Sequence, residues 1–153
     1  MSTPRGTTAE PVTTDNLADT VRVAVRPEQE AFVAPVVQSL AEAYTQPDVA
    51  WPRLVRDDGR AVAFVMGAFD PEAELDFFRA GVWRLNVAAD AQGRGYGRFA
   101  VDLVAAEARR RGERRITVLW VPGEGGPEGF YRRLGFTPTG QVFADQVVGE
   151  LVL

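Results

Sequence analysis

The chain has 153 residues, 46% of them apolar, with 17 basic residues against 21 acidic ones for a net charge of −4. That is the size and make-up of one domain with one core, and the acidic balance argues against a nucleic-acid protein, which needs a concentrated basic face. There is no cysteine and no histidine, which removes disulfides, thiolate nucleophiles, Ser–His pairs and most zinc sites together.

In chain order, residues 1–8 read as a flexible polar tail without an apolar signal segment, ahead of a single domain over 9–153. The expected location is therefore the cytoplasm, with no membrane partner. Pro11–Thr13 close a short first strand, and Thr14 or Asp15 caps a helix running through Val21. Pro27 and Pro35 each suit the first position of a helical segment, the second reaching Tyr44 and stopped by Pro47. Trp51–Arg56 and Arg60–Ala68 are predicted strands joined by the hairpin pair Asp58-Gly59. The longest apolar run, Ala61 to Phe69, is about half of a membrane span.

Phe69–Asp76 follows as an acidic loop, and Val82–Val87 alternates as a strand. Trp83, Leu85 and Val87 share one face of it, Arg84 and Asn86 the other. Gly97–Arg111 carries the clearest helical pattern. Ala100, Leu103, Val104 and Ala108 form its apolar stripe, three arginines fill its last turn, and Gly112 ends it. Ile116–Val121 is a strand apolar on both faces, Pro127–Leu134 a short helix closed by Gly135, and Thr137–Val142 with Val147–Leu153 a final strand pair. The order predicts a mixed α/β (α+β) sheet.

Between the strand ending at Val87 and the long helix lies Gln92-Gly93-Arg94-Gly95-Tyr96-Gly97-Arg98. Alternating glycines let backbone come close to a ligand, and the following helix adds the positive end of its dipole. The loop therefore suits a pyrophosphate. It is not a dinucleotide fingerprint, because Arg98 stands where the third glycine belongs and the next strand ends without an acid. Nor is it a P-loop, since no Gly-Lys-Ser/Thr follows.

These residues resemble the GNAT family of N-acetyltransferases. Gln92-x-x-Gly95-x-Gly97 matches the family's Arg/Gln-x-x-Gly-x-Gly/Ala signature, and Phe130-Tyr131-Arg132-Arg133-Leu134-Gly135-Phe136 matches its Phe-Tyr-x-x-x-Gly-Phe. The resemblance covers residues 8–153. It implies the family fold: a mostly antiparallel sheet of six or seven strands, flanked by about four helices and splayed between its fourth and fifth strands, with acetyl-CoA in the gap. It further implies that backbone of Leu85, Asn86 and Val87 pairs with the pantetheine arm, that Gln92 to Arg98 hold the pyrophosphate, and that Phe130 packs beside the cofactor. Many members carry an Asn seven residues before the Tyr. Here that residue is Glu124, which either replaces the Asn or marks a different loop.

For chemistry without histidine or cysteine, Tyr131 is the candidate general acid toward the departing thiolate. The acids near an acceptor mouth are Glu28, Glu30, Glu42, Asp48, Glu72, Glu74 and Asp76, and none stands out as the base. Trp51, Trp83, Phe32 and Tyr44 offer aromatic surface to a cation, Trp83 foremost because it shares a face with Leu85 and Val87. Within the family, Arg26–Pro35 with Ser39–Ala43, and Gly123–Glu128, look like bacterial diamine and polyamine acetyltransferases. That implies a small polycationic acceptor near Glu28, Glu30 and Glu42, and a homodimer is a further expectation. The alternatives are an enzyme acetylating a protein N-terminus or lysine, and a catalytically silent acyl-CoA sensor.

Overall fold

The computed structural model describes residues 4–153; the first three residues of the expected tail lie outside the described residues. A seven-stranded sheet runs in the order β1-β2-β3-β4-β5-β7-β6. Its strands are β1 (Thr7–Pro11), β2 (Ala50–Asp57), β3 (Arg60–Phe69), β4 (Ala80–Val87), β5 (Arg115–Trp120), β6 (Thr137–Phe143) and β7 (Gln146–Val152). The helices are α1 (Leu17–Arg22), α2 (Val36–Thr45), α3 (Tyr96–Arg110) and α4 (Glu128–Arg133), with single 3₁₀ turns at 27–29, 76–78 and 89–91. This is the splayed α/β fold expected from the sequence. β1 begins at Thr7, so the last two residues read as tail are paired into the sheet, Thr7 against Asp57 and Thr8 against Arg56.

Local chemistry accounts for most element boundaries. The β2–β3 hairpin turns through Asp58 and Gly59, both at positive φ (48° and 84°), as a two-residue turn matched to strand twist requires. α1 is preceded by Asn16, not by Thr14 or Asp15. The Asn16 amide oxygen accepts the Thr13 N–H at 2.8 Å while its NH₂ donates to the Pro11 carbonyl at 2.9 Å, so it ties the turn that leaves β1. Pro35 sits immediately before α2 and starts it. The buried side of α3 includes Ala100, Val101, Val104, Ala105 and Ala108, a wider stripe than the four positions read from spacing, because Val101 and Ala105 also face the core.

All strand pairs are antiparallel except β4 and β5, which run parallel and pair only at Gly81↔Thr117 and Val82↔Val118. Beyond that point β4 carries one extra residue against β3. Met66 pairs Arg84 and Gly67 pairs Val82, leaving Trp83 as a β-bulge. A bulge bends its strand and deepens the twist, and this one falls on the residue after the last β4–β5 pair. The strands then diverge, leaving their facing backbone edges without a strand partner among the described residues. The bulge also breaks the simple alternation expected over Val82–Val87: Trp83 and Arg84 both line the resulting gap.

The two strands can meet at all because residue 81 is glycine. A Cβ there would stand 2.3 Å from the Thr117 carbonyl oxygen, which is backbone and cannot swing away. Gly81→Ala is therefore expected to cost about 2–3 kcal/mol. Thermal unfolding should show this as a melting temperature lower by about 5–10 °C.

Candidate active site

The V between β4 and β5 opens into a cavity of about 980 Å³. One end is the glycine loop. Gly93 and Gly95 hold positive φ (77° and 89°), so backbone conformation demands glycine at both. Gly97 is required for a different reason: a Cβ on it would lie 2.9 Å from the Phe130 ring. α4 is thus seated directly against the first turn of α3, and both present their residues to one cavity. Gly93, Gly95, Tyr96, Gly97 and Arg98 line this end, at the N-terminus of a 15-residue helix. Backbone donors, a helix dipole and an exposed Arg98 make it suited to an anion.

Two loop residues have other tasks. The Gln92 side chain donates to the Val87 carbonyl at 3.1 Å and exchanges hydrogen bonds with Gln29 at 2.7 and 3.1 Å. Gln29 in turn accepts the Arg26 N–H, so this glutamine pair locks the end of β4 to the 3₁₀ turn before α2. The Gln92 amide group is therefore committed to protein partners, although the residue lines the cavity. Arg94 is not among the lining residues. The buried Tyr96 hydroxyl, hydrogen-bonded to the Asp57 carboxylate, points to the β2–β3 hairpin, and that bond holds its pKa above the usual tyrosine value.

In the middle of the cavity, Leu85 and Val87 face Val118 to Val121 and Tyr131. The Tyr131 ring stacks on Trp120 (centroids 5.9 Å apart, 11° between planes) and meets Phe130 and Phe136 edge-on at 5.0 and 5.5 Å. Its hydroxyl has no hydrogen-bond partner among the described residues, and burial pushes its pKa well above the ordinary tyrosine value. Asn86 is buried behind the cavity wall and donates to the Ala34 carbonyl at 3.1 Å, pinning the segment before α2 onto β4.

The other end is built from residues 30–35 with Gln38, Trp83 and Arg84. Phe32 reaches the opposite bank, where a Cβ on Gly126 would lie 2.9 Å from its ring. Of the acids named from sequence, only Glu30 lines the cavity. Glu28 is exposed outside it, and Glu42 is held by Arg84 at 2.9 Å. Glu124 is likewise exposed and not among the lining residues, whereas Gly125 and Gly126 are. Physically, the turn around it, with Gly123 and Gly125 at positive φ, presents glycine backbone rather than the Glu124 side chain. Sequence reading passed over Trp120, Arg84 and Arg133, all of which line the cavity. Trp120 closes an apolar strand and Arg133 sits inside the Phe-Tyr motif, but neither signals its direction from sequence alone.

The chain belongs to the acetyltransferase (GNAT) family, whose model matches residues 17–136. Among solved structures, an acetyltransferase from Thermus thermophilus superposes with a TM-score of 0.75 at 23% identity, covering 96% of this chain and 97% of that one. PaiA N-acetyltransferase from Thermoplasma acidophilum, in complex with coenzyme A, gives 0.68 at 14% identity with 100% of both chains covered. The ribosomal-protein-S18-alanine N-acetyltransferase from Escherichia coli gives 0.66 at 17% identity, covering 95% and 93%. No curated protein is close enough in sequence to be matched. Among the described residues, no helix is long and apolar enough to cross a membrane, and no cluster of three acids could hold a metal ion.

Proposed function

We propose that the protein transfers an acetyl group from acetyl-CoA directly to the primary amine of a small acceptor, with Tyr131 as the general acid. The observation that carries this reading is one cavity joining a backbone-rich anion cradle to the unpartnered hydroxyl of a buried tyrosine. Acetyl-CoA, when bound, supplies the activated acyl group. Its fit rests on the cradle at Gly93 to Arg98 and on the unpaired strand edges of the V, which offer amide partners to an extended, amide-containing arm.

Around it, each residue has a separate task. Backbone of residues 93–98 meets the pyrophosphate, with Arg98 and Arg133 adding charge, while Leu85 and Val87 contribute the β4 edge. Phe130 fixes the glycine loop by packing on Gly97. The Tyr131 hydroxyl keeps its proton at neutral pH and holds it at the cavity, available to the departing sulfur. Phe32 and Trp83 form the acceptor wall, with Glu30 as the acid that meets an incoming ammonium.

A diamine or polyamine acceptor, implied by the subfamily resemblance, rests on Glu30 alone, since Glu28 and Glu42 do not line the cavity. A protein N-terminus is the second reading, favoured by the likeness to the S18-alanine enzyme. The contact of Phe32 with Gly126 across the acceptor end favours a small molecule over a through-running peptide. The test is release of free CoA thiol from acetyl-CoA with a panel of small amines and N-terminal peptides. Turnover with peptides alone would replace the small-acceptor reading, and turnover with none would remove the catalytic one. Because Glu30 is exposed, Glu30→Gln is expected to raise the Michaelis constant for an amine acceptor only about two- to fivefold, with turnover nearly unchanged. An equal fall in turnover would make Glu30 part of the proton path instead.

A further inference from the structure

The charges at the acceptor end narrow the substrate further, on the footing of the acetyltransfer reading above. Four charged residues line the cavity: Glu30, Arg84, Arg98 and Arg133. Arg98 stands in the first turn of α3 beside the glycine loop, and Arg133 lies on α4 two residues after Tyr131. Residues 30–35 with Gln38, Trp83 and Arg84, which build the acceptor end, include one acid and one base. Arg84 lies three residues before Val87, about 10 Å along β4 from that strand's end.

The Arg84 guanidinium is only partly committed. Nη2 donates to Glu42 Oε2 at 2.9 Å and Nη1 to the Trp83 carbonyl at 3.2 Å, while the group lies 5.8 Å from the Trp83 ring. Its Nε–H has no partner among the described residues. The side chain is 19% exposed, and burial weakens its hold on its proton. A guanidinium in this position is costly to leave with open donors, and a second ammonium arriving beside it would meet a like charge. A carboxylate meets the opposite situation, a planar donor fork already oriented by Glu42 and Trp83.

We propose that Arg84 recognises an anionic group on the acceptor, so that the substrate is an amine that also carries a carboxylate. Glu30 then faces the ammonium and Arg84 the carboxylate, and Glu42 tunes Arg84 by competing for it.

The pair of variants Arg84→Gln and Glu42→Gln separates recognition from structure, because both break the same ion pair. A merely structural pair predicts that both variants lose activity alike. Recognition predicts opposite directions. Arg84→Gln should raise the Michaelis constant for an aminocarboxylate by about tenfold or more. Glu42→Gln should lower it by about two- to threefold, since the guanidinium charge is no longer offset by a neighbouring carboxylate and a donor is freed. The Michaelis constant for acetyl-CoA serves as the folding control and should stay constant in both.

The acceptors to use are α-amino acids and γ-aminobutyrate, each beside its methyl ester, with putrescine as the matching diamine. In the parent, free acids should outperform esters, and Arg84→Gln should erase that preference. If esters or putrescine are the better substrates, or both variants shift the same way, the assignment of Arg84 is overturned while acetyltransfer stands. If no amine supports thiol release, acetyltransfer falls. Arg84 is then judged by calorimetric binding of the same amino acids to the CoA-loaded protein, where absence of binding, or binding unchanged in Arg84→Gln, overturns it.

Discussion

Tyr131→Phe is expected to lower turnover by about a hundredfold or more while leaving folding and acetyl-CoA affinity as they are. The substitution keeps the ring, and with it the stack on Trp120 and the edge contacts with Phe130 and Phe136. What it removes is one hydroxyl that makes no hydrogen bond among the described residues, so no buried partner is orphaned. Loss of activity without loss of stability would therefore locate the effect in proton transfer. The pH profile gives a second reading. Burial disfavours the phenolate and raises the Tyr131 pKa above its ordinary value. The hydroxyl accordingly keeps its proton through the whole alkaline range in which an acceptor amine becomes neutral. Turnover of the parent should show no alkaline fall below about pH 10, and the variant should follow the same profile at a lower level. A Tyr131→Phe enzyme with parental turnover would return the residue to packing alone.

Much of this site was legible in the sequence, and the parts that were not share a physical cause. Glycine carries backbone information that survives in one dimension. Gly93 and Gly95, the Asp58-Gly59 hairpin and the stop at Gly112 could be placed because few other residues tolerate positive φ there. Periodicity placed α3 and β5, since each buries a face wide enough to leave a pattern. The bulge at Trp83 left no such trace. It depends on how β4 registers against β3, a long-range property, and it breaks the alternation between Val82 and Arg84 that the sequence pattern implies. The β6–β7 turn was equally silent, because Ala144 and Asp145 adopt positive φ without glycine. Long polar side chains were the least legible. Gln92, Glu42 and Glu28 sit close in sequence to the residues that matter, yet their ends go to Val87 and Gln29, to Arg84, and to solvent. A chain pattern fixes where such a side chain is attached, and the charges around its far end decide where it goes.

Gly95→Asp is expected to abolish measurable acetyl-CoA binding with little change in the fold's core. Gly95 stands at the N-cap of α3 with φ 89°, a left-handed conformation that Asp enters at some cost. That strain alone would be modest, because Asp is one of the few non-glycine residues that enter the left-handed region readily and its carboxylate would favour the positive helix end. The same carboxylate is what destroys the site. It would put a negative charge on a loop whose Gly93, Gly95, Gly97 and Arg98 line the cavity, among the donors meant for phosphate. Stability and binding should therefore part company. Thermal unfolding should move by a few degrees at most, whereas calorimetry should record no heat of CoA binding. Gly95→Ala supplies the control, carrying the φ penalty without the charge, and should keep weakened binding. If Gly95→Asp binds CoA as tightly as the parent, the pyrophosphate does not lie against this loop, and the cavity's anion end must be sought beside Arg133 instead.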